Sequence, residues 1–235
     1  MRYADFVRLQ LRREQPPVYV PLRLVSTALS WPLARIGVSP NVITLAGAVV
    51  AAVASWALAQ GNVAFMQVAS GLIVVAYLLD CMDGEVARIR DRSTELGAHL
   101  DQFSNWFTVV ALQIGLAYGG ATFTGDPWAL AWGLYALAGW CTFYYLYLQI
   151  ARWVSNEADF DLLRRLSTVL FWTMPLDENI ALGFALFGRP DLGIRCSAAV
   201  GIALSIVVAS LYIGYSVLTR GNGKASLVAP DSSSA

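Results

Sequence analysis

The stretch that decides this chain is DCMDGEVARIRDRSTELGAHLDQFSN, residues Asp80 to Asn105. It joins two apolar runs and crowds Asp80, Asp83, Glu85, Arg88 and Asp101 between them, with Gly84 and Gly97. If the first run continues as a helix past Asp80, then Asp80, Asp83, Gly84, Ala87 and Arg88 fall at i, i+3, i+4, i+7 and i+8, one stripe. On the following run Gly97, Asp101 and Asn105 repeat at i, i+4 and i+8, again one stripe. The connection is short, so the two helices are expected as antiparallel neighbours. Facing stripes would gather Asp80, Asp83 and Asp101 into one pocket.

Composition says where that pocket lies. The chain has 235 residues, 57% hydrophobic and 14% charged, with mean hydropathy +0.56. Soluble domains carry about 25% charged residues. An integral membrane protein is expected, as one compact bundle rather than two domains. Zero formal net charge gives no reason to expect nucleic acid. Cys81, Cys141 and Cys196 show neither zinc spacing nor a disulfide framework and read as small buried hydrophobes. The opening MRYADFVRLQLRREQPP is charged throughout and is not read as a cleavable signal.

A spanning helix needs roughly 20 apolar residues. Val42 to Ala59, Asn62 to Leu79, a third run from near Gly97 to Gly125, Pro127 to Ala151 and Cys196 to Thr219 all qualify. Leu166 to Gly188 is apolar but interrupted by Pro175, Asp177 and Glu178. It is read as a short or kinked fifth span, or as re-entrant, after a surface segment at Leu162 to Val169. With six spans and both ends on one side, 14 of the 16 Lys and Arg residues share that side, and only Arg189 and Arg195 lie opposite. The positive-inside rule then puts both termini and the Asp cluster on the cytoplasmic side.

Ahead of the spans, Tyr3, Phe6, Val7 and Leu11 share a helical face with Arg8 and Arg12 beyond its edge. That pattern suits a helix lying on the membrane. The segment Val18 to Gly37 is similar, but broken by Pro21 and Pro32. The expected architecture is all-α and polytopic: six transmembrane helices with an N-terminal amphipathic surface helix. One membrane domain covers residues 1–220, its first 37 residues being a juxtamembrane amphipathic segment, and a disordered tail covers 221–235.

Carboxylates at a membrane are costly to bury and mark function or lie in an exposed loop. Three close together repel one another and stay ionised only with cations among them. All-oxygen donors favour hard ions such as Mg²⁺ or Mn²⁺, which also bind phosphate oxygens. Gly84 would admit a ligand close to the helix backbone, and Arg88 could pair with phosphate. The residues themselves point to metal-dependent phosphoryl transfer at the cytoplasmic membrane surface; a charged inter-helix loop is the bland alternative.

At these positions the chain resembles the CDP-alcohol phosphotransferases, or phosphatidyltransferases, whose signature is D-x2-D-G-x2-A-R-x8-G-x3-D-x3-D. Asp80, Asp83, Gly84, Ala87, Arg88, Gly97 and Asp101 match it in order and spacing. SPNVIT, before the first span, also resembles the family's opening. The resemblance implies a six-helix membrane enzyme, commonly a homodimer, that converts a CDP-alcohol and an acceptor alcohol into a phosphodiester and CMP. It implies that Asp80, Asp83 and Asp101 hold divalent metals, two ions of Mg²⁺ or Mn²⁺. It further implies that Gly84, Ala87, Arg88 and Gly97 line the cytidine diphosphate site, with Asn41 and Thr44 as weaker donor-pocket candidates.

The last Asp of the signature, the family's general base and near its metals, is Asn105 here. An amide oxygen can ligate a metal, but a neutral amide cannot accept a proton from an attacking hydroxyl. Three explanations stay open. Another base, or the metal itself, activates the hydroxyl; the site binds nucleotide without turnover; or Asn105 is an engineered change. Glu85 lies one residue off the stripe, and His99 points away from it on an ideal helix. Arg90 and Arg92 could meet an anionic acceptor, as could Arg152, Arg164 and Arg165; Asp177 and Glu178 could face the cavity.

The resulting expectation is transfer of a phosphatidyl group, with CDP-diacylglycerol as donor, in phospholipid synthesis. The alternative is a family member that binds CDP-alcohol without turnover. A small transporter or channel using the acidic cluster as a cation path is disfavoured, because the carboxylates cluster at one face and the first, fourth and sixth spans carry no charge through their apolar lengths.

Overall fold

The computed structural model describes residues 3–11, 20–156, 168–171, 173 and 175–221, and the regular elements among them are helices. They are α1 (Tyr3–Leu11), α2 (Val20–Ile36), α3 (Pro40–Ala59), α4 (Val63–Ile89), α5 (Glu95–Thr124), α6 (Trp128–Asn156), α7 (Leu176–Leu186) and α8 (Pro190–Gly221). Four are long and apolar enough to cross a membrane: α3, α4, α5 and the Pro190–Gly214 part of α8. α6 covers the apolar run expected from Pro127 to Ala151 and is 29 residues long. Of the expected fifth span, α7 covers 11 residues. The expected surface segment falls largely outside the described residues, and the tail does so beyond Gly221.

Local chemistry sets the boundaries around the acidic stretch. Pro40 opens α3, where its missing N–H would have had no intrahelical partner. Asn62 caps α4, its side chain accepting from the Ala64 amide at 2.8 Å. α4 does not end where its apolar run ends: it continues through Asp80 to Ile89, so the acidic stripe is helical. Asp91, with φ of +52°, turns the chain back. Thr94 then caps α5, accepting from the Gly97 amide at 3.0 Å.

α3 packs along both α4 and α5, α6 runs along α8, α5 touches α6 and α8, and α7 lies against α4 and α8. Small residues allow the closest crossings. A Cβ added at Gly115 would sit 2.6 Å from the Ser55 carbonyl oxygen, and one at Gly119 would strike the Leu58 carbonyl. In the core, the Trp140 indole donates to Ser197 at 2.8 Å and Ser197 donates to Gln113 at 2.9 Å, linking α6, α8 and α5.

The second N-terminal segment departs from expectation. α2 is continuous: Pro21 stands in its first turn and Pro32 inside it. A proline in a first turn displaces no helical hydrogen bond, and Pro32 is close to the C-terminal end. Nor is its polar stripe at the surface, because Ser26, Thr27 and Ser30 are buried and α2 packs on α4. α1 rests on α2, with Phe6 buried and the rings of Tyr3 and Phe6 against Trp31.

Candidate active site

The start of α3, the end of α4 and the start of α5 meet at one end of the bundle, and two adjoining cavities open there. The larger, about 370 Å³, is lined by Thr44, Asp80, Asp83, Asp101 and Asn105, with Arg23 from α2 and Glu178 from α7. Ala51, Ile73, Ala76, Leu112, Leu148 and Phe171 give it an apolar inner wall. The smaller, about 150 Å³, is lined by Asn41, Thr44, Asp83, Gly84, Ala87, Arg88, Gly97 and Asp101, with Arg92 and Thr94. Thr44, Asp83 and Asp101 border both. The two stripes face each other as their spacing predicts, and all ten candidate residues line one cavity or the other.

Each wall has a reason. Asp83 is buried, accepts from Thr44 Oγ1 at 2.6 Å through Oδ2, and accepts from the Gly84 amide through Oδ1. α3 therefore fixes the orientation of this carboxylate. Asp101 accepts from Asn105 Nδ2 at 3.2 Å and lies within hydrogen-bonding reach of Asp80. Asp80 is within electrostatic reach of Asp83, Asp101 and Glu178. A Cβ at Gly84 would sit 3.0 Å from Arg88 Nη1; at Gly97 it would meet Thr94 Oγ1 at 3.2 Å and Asn41 Oδ1 at 3.4 Å. These glycines keep the floor of the smaller cavity open.

Two carboxylates within hydrogen-bonding reach need a cation or a proton between them. The donor set, three carboxylates and an amide oxygen, suits a hard divalent ion in kind. As the side chains stand, no group of three or more His, Cys, Asp or Glu residues among those described is gathered tightly enough to hold an ion.

Several other residues find places that their sequence positions did not disclose. Glu85 is fully buried on the opposite face of α4, where it accepts from Arg23, Ser26 and Ser30 of α2 at 3.1, 2.9 and 2.7 Å. Arg90 donates to the carbonyls of Gly37 and Val38 at 2.7 and 2.8 Å, which ties the α2–α3 turn to α4. His99 is exposed, its Nδ1 2.8 Å from the Glu95 carbonyl oxygen. Of the α7 pair, Glu178 lines the larger cavity and Asp177 does not. Arg164 and Arg165 lie outside the described residues, as does the side chain of Arg152. Arg23 is the wall residue that the sequence reading missed. Its signal was present: Arg23, Ser26, Thr27 and Ser30 repeat at i, i+3, i+4 and i+7.

Comparison with known proteins gives relatives of one kind. The archaetidylinositol phosphate synthase of Pyrococcus horikoshii is 29% identical over 111 residues, 47% of this chain and 55% of that protein. The CDP-diacylglycerol–inositol 3-phosphatidyltransferase of Drosophila melanogaster is 35% identical over 79 residues, 34% of each chain. The chain thus aligns with about half and about a third of the length of these curated relatives. The crystal structure of Mycobacterium tuberculosis phosphatidylinositol phosphate synthase with CDP-DAG bound shares the fold, with a TM-score of 0.59 at 19% identity over 79% of this chain and 92% of that one. A sequence model of the CDP-alcohol phosphatidyltransferase family matches residues 37–209, which hold both stripes and every lining residue of the two cavities except Arg23, and the chain belongs to that family.

Proposed function

We propose that this protein transfers a phosphatidyl group from CDP-diacylglycerol to an alcohol acceptor with release of CMP, in phospholipid synthesis. The observation that carries the reading is the pair of cavities joined at Thr44, Asp83 and Asp101. The smaller holds the glycine and arginine positions of the nucleotide signature. The larger adds carboxylates and an apolar wall, the chemistry a lipid-bearing donor would need. Transfer between two phosphates depends mainly on positioning and charge stabilisation, so few further groups are needed.

Asp80, Asp83 and Asp101, with the amide oxygen of Asn105, would hold Mg²⁺ or Mn²⁺, two ions by family resemblance. Bound divalent ions neutralise charge developing on phosphoryl oxygens. The chain's own part is distinct. Thr44 holds Asp83, the Gly84 and Gly97 backbones admit the nucleotide, and Arg88 offers a cation to it. Supporting the remaining frame are the sequence and its charges. We read six spans, with α6 and the α7 segment completing the four apolar helices and α1 lying on the membrane. We read residues 1–220 as one domain, and the basic α4–α5 turn supports reading the site and both termini at the cytoplasmic face. The assembly is a homodimer, as the family commonly forms.

A second reading is favoured by one contact. Asn105 directs Nδ2 to Asp101, as a donor where the signature has an acceptor. A chain that binds CDP-alcohol without turnover would look the same. Purified protein is assayed for acceptor-dependent CMP release with Mg²⁺, with Mn²⁺ and with chelator, beside Asn105→Asp. Metal-dependent release by the unaltered chain supports the transferase. Release only after Asn105→Asp assigns the binding-only reading. With folded protein, no release from either overturns the proposed donor chemistry.

A further inference from the structure

We infer that Glu178 is the general base of the proposed transfer, taking from the acceptor hydroxyl the proton that Asn105 cannot take. The inference rests on the transferase reading and names a residue outside the signature. Four carboxylates line the larger cavity, Asp80, Asp83 and Asp101 of the signature and Glu178, and Asn105 lines it with them. Glu178 stands in the first turn of α7, which lies against α4 and also touches α5, the two helices that carry the stripes. A carboxylate from a third helix thus joins the cavity in which the signature's last carboxylate is missing.

Chemistry narrows the choice to it. A general base must be unprotonated and within reach of the hydroxyl it serves. Tyr77, Cys81 and Tyr144 line the same cavity, but phenols and thiols hold their protons at neutral pH. His99, the single histidine of the chain, does not line it. Asp80, Asp83 and Asp101 are the proposed metal ligands. Among the described residues lining the cavity, Glu178 is the carboxylate left.

Its placement is not explained by helix chemistry alone. An acidic first turn suits a helix start, and Asp177 supplies one in the same turn without lining the cavity. Glu178 instead stands within electrostatic reach of Asp80, where like charges repel. A carboxylate kept in such a place at a membrane marks function. The step it serves balances. As the acceptor oxygen bonds to the phosphorus of the phosphatidyl group, its proton passes to a carboxylate oxygen of Glu178. The bond from that phosphorus to the bridging oxygen breaks, and CMP leaves with the electron pair. Glu178 then gives the proton to water.

CMP release from CDP-diacylglycerol is followed with Mg²⁺, and with myo-inositol or myo-inositol 1-phosphate as acceptor. The proteins are the unaltered chain, Glu178→Gln, Glu178→Ala and the double variant Glu178→Gln/Asn105→Asp. Glu178→Gln is expected to lower kcat by about a hundredfold to ten-thousandfold, the scale of a lost general base, with the KM of both substrates little changed. Asn105→Asp, which returns a carboxylate to the signature position, should raise kcat of Glu178→Gln by about tenfold or more. Glu178→Ala should be rescued by sodium formate in proportion to its concentration, which a structural role would not produce. That arm also serves if Glu178→Gln fails to fold.

A kcat for Glu178→Gln within about threefold of the unaltered protein overturns the inference, being far short of a lost base. So does a loss that neither Asn105→Asp nor formate repairs. A loss repaired by more Mg²⁺ overturns it as well, and makes Glu178 a metal-binding residue. Should the folded, unaltered protein release no CMP, the transferase reading fails and the inference with it. Release by the unaltered protein beside an equally active Glu178→Gln removes the inference alone.

Discussion

A carboxylate without exposed surface is held by its neighbours, and Glu85 has more of them than any acidic residue of the signature. Removing it breaks a buried ion pair and strips three buried hydroxyls of an acceptor, and breaking a buried pair costs about 3 kcal/mol or more. Glu85→Ala is therefore expected to lower the thermal unfolding midpoint of the purified protein well below that of Glu95→Ala, whose carboxylate is exposed in the first turn of α5. Gly97 lines the smaller cavity, and in the proposed function it acts on binding instead. A valine there would push methyl groups toward Thr94 Oγ1 and Asn41 Oδ1 in the smaller cavity. Gly97→Val should weaken CDP binding by tenfold or more, measured by calorimetry, with the helical content unchanged. The two carboxylates also show how much of a site spacing can disclose. Asp80, Asp83 and Asp101 were placed together by i, i+3, i+4 arithmetic, because helix geometry is local. Glu85 stands two residues from Asp83, and nothing local says that its partners lie on α2.

The same division holds for whole helices. α3, α4, α5 and α8 were legible because an uncharged run long enough to span has one stable solution in lipid. The extension of α4 through Asp80 to Ile89 was legible from the stripe, not from hydropathy. α2 was misread at Pro32, since a single proline near a C-terminal end costs one hydrogen bond that tertiary packing on α4 can outweigh. The α3–α5 crossing makes a separate prediction. Gly115→Ala would place a methyl 2.6 Å from the Ser55 carbonyl oxygen, so the helices must separate. A cost of about 1–3 kcal/mol is expected for such overpacking, read as loss of stability in detergent. Gly71→Ala on α4, where nothing lies within 4 Å of the added carbon, is the matched control and should leave stability unchanged or slightly raised.

At the scale of the molecule, the bundle converts three helix ends into two connected cavities of different character. One is small and lined by the glycines and arginines of the signature stretch; the other is larger and lined by carboxylates and apolar side chains. Their shared border, Thr44, Asp83 and Asp101, is where a bond between donor and acceptor would have to change. That shared border is the central claim, and Asp101 tests it best because it touches both cavities while its helix is held by Gly115 and Gly119 far along α5. The decisive measurement is acceptor-dependent CMP release from CDP-diacylglycerol by the unaltered protein and by Asp101→Ala, both verified as folded. The account predicts release by the first and a loss of at least about a hundredfold in the second, the scale on which removing one transition-state contact acts. Equal release by both proteins would contradict it.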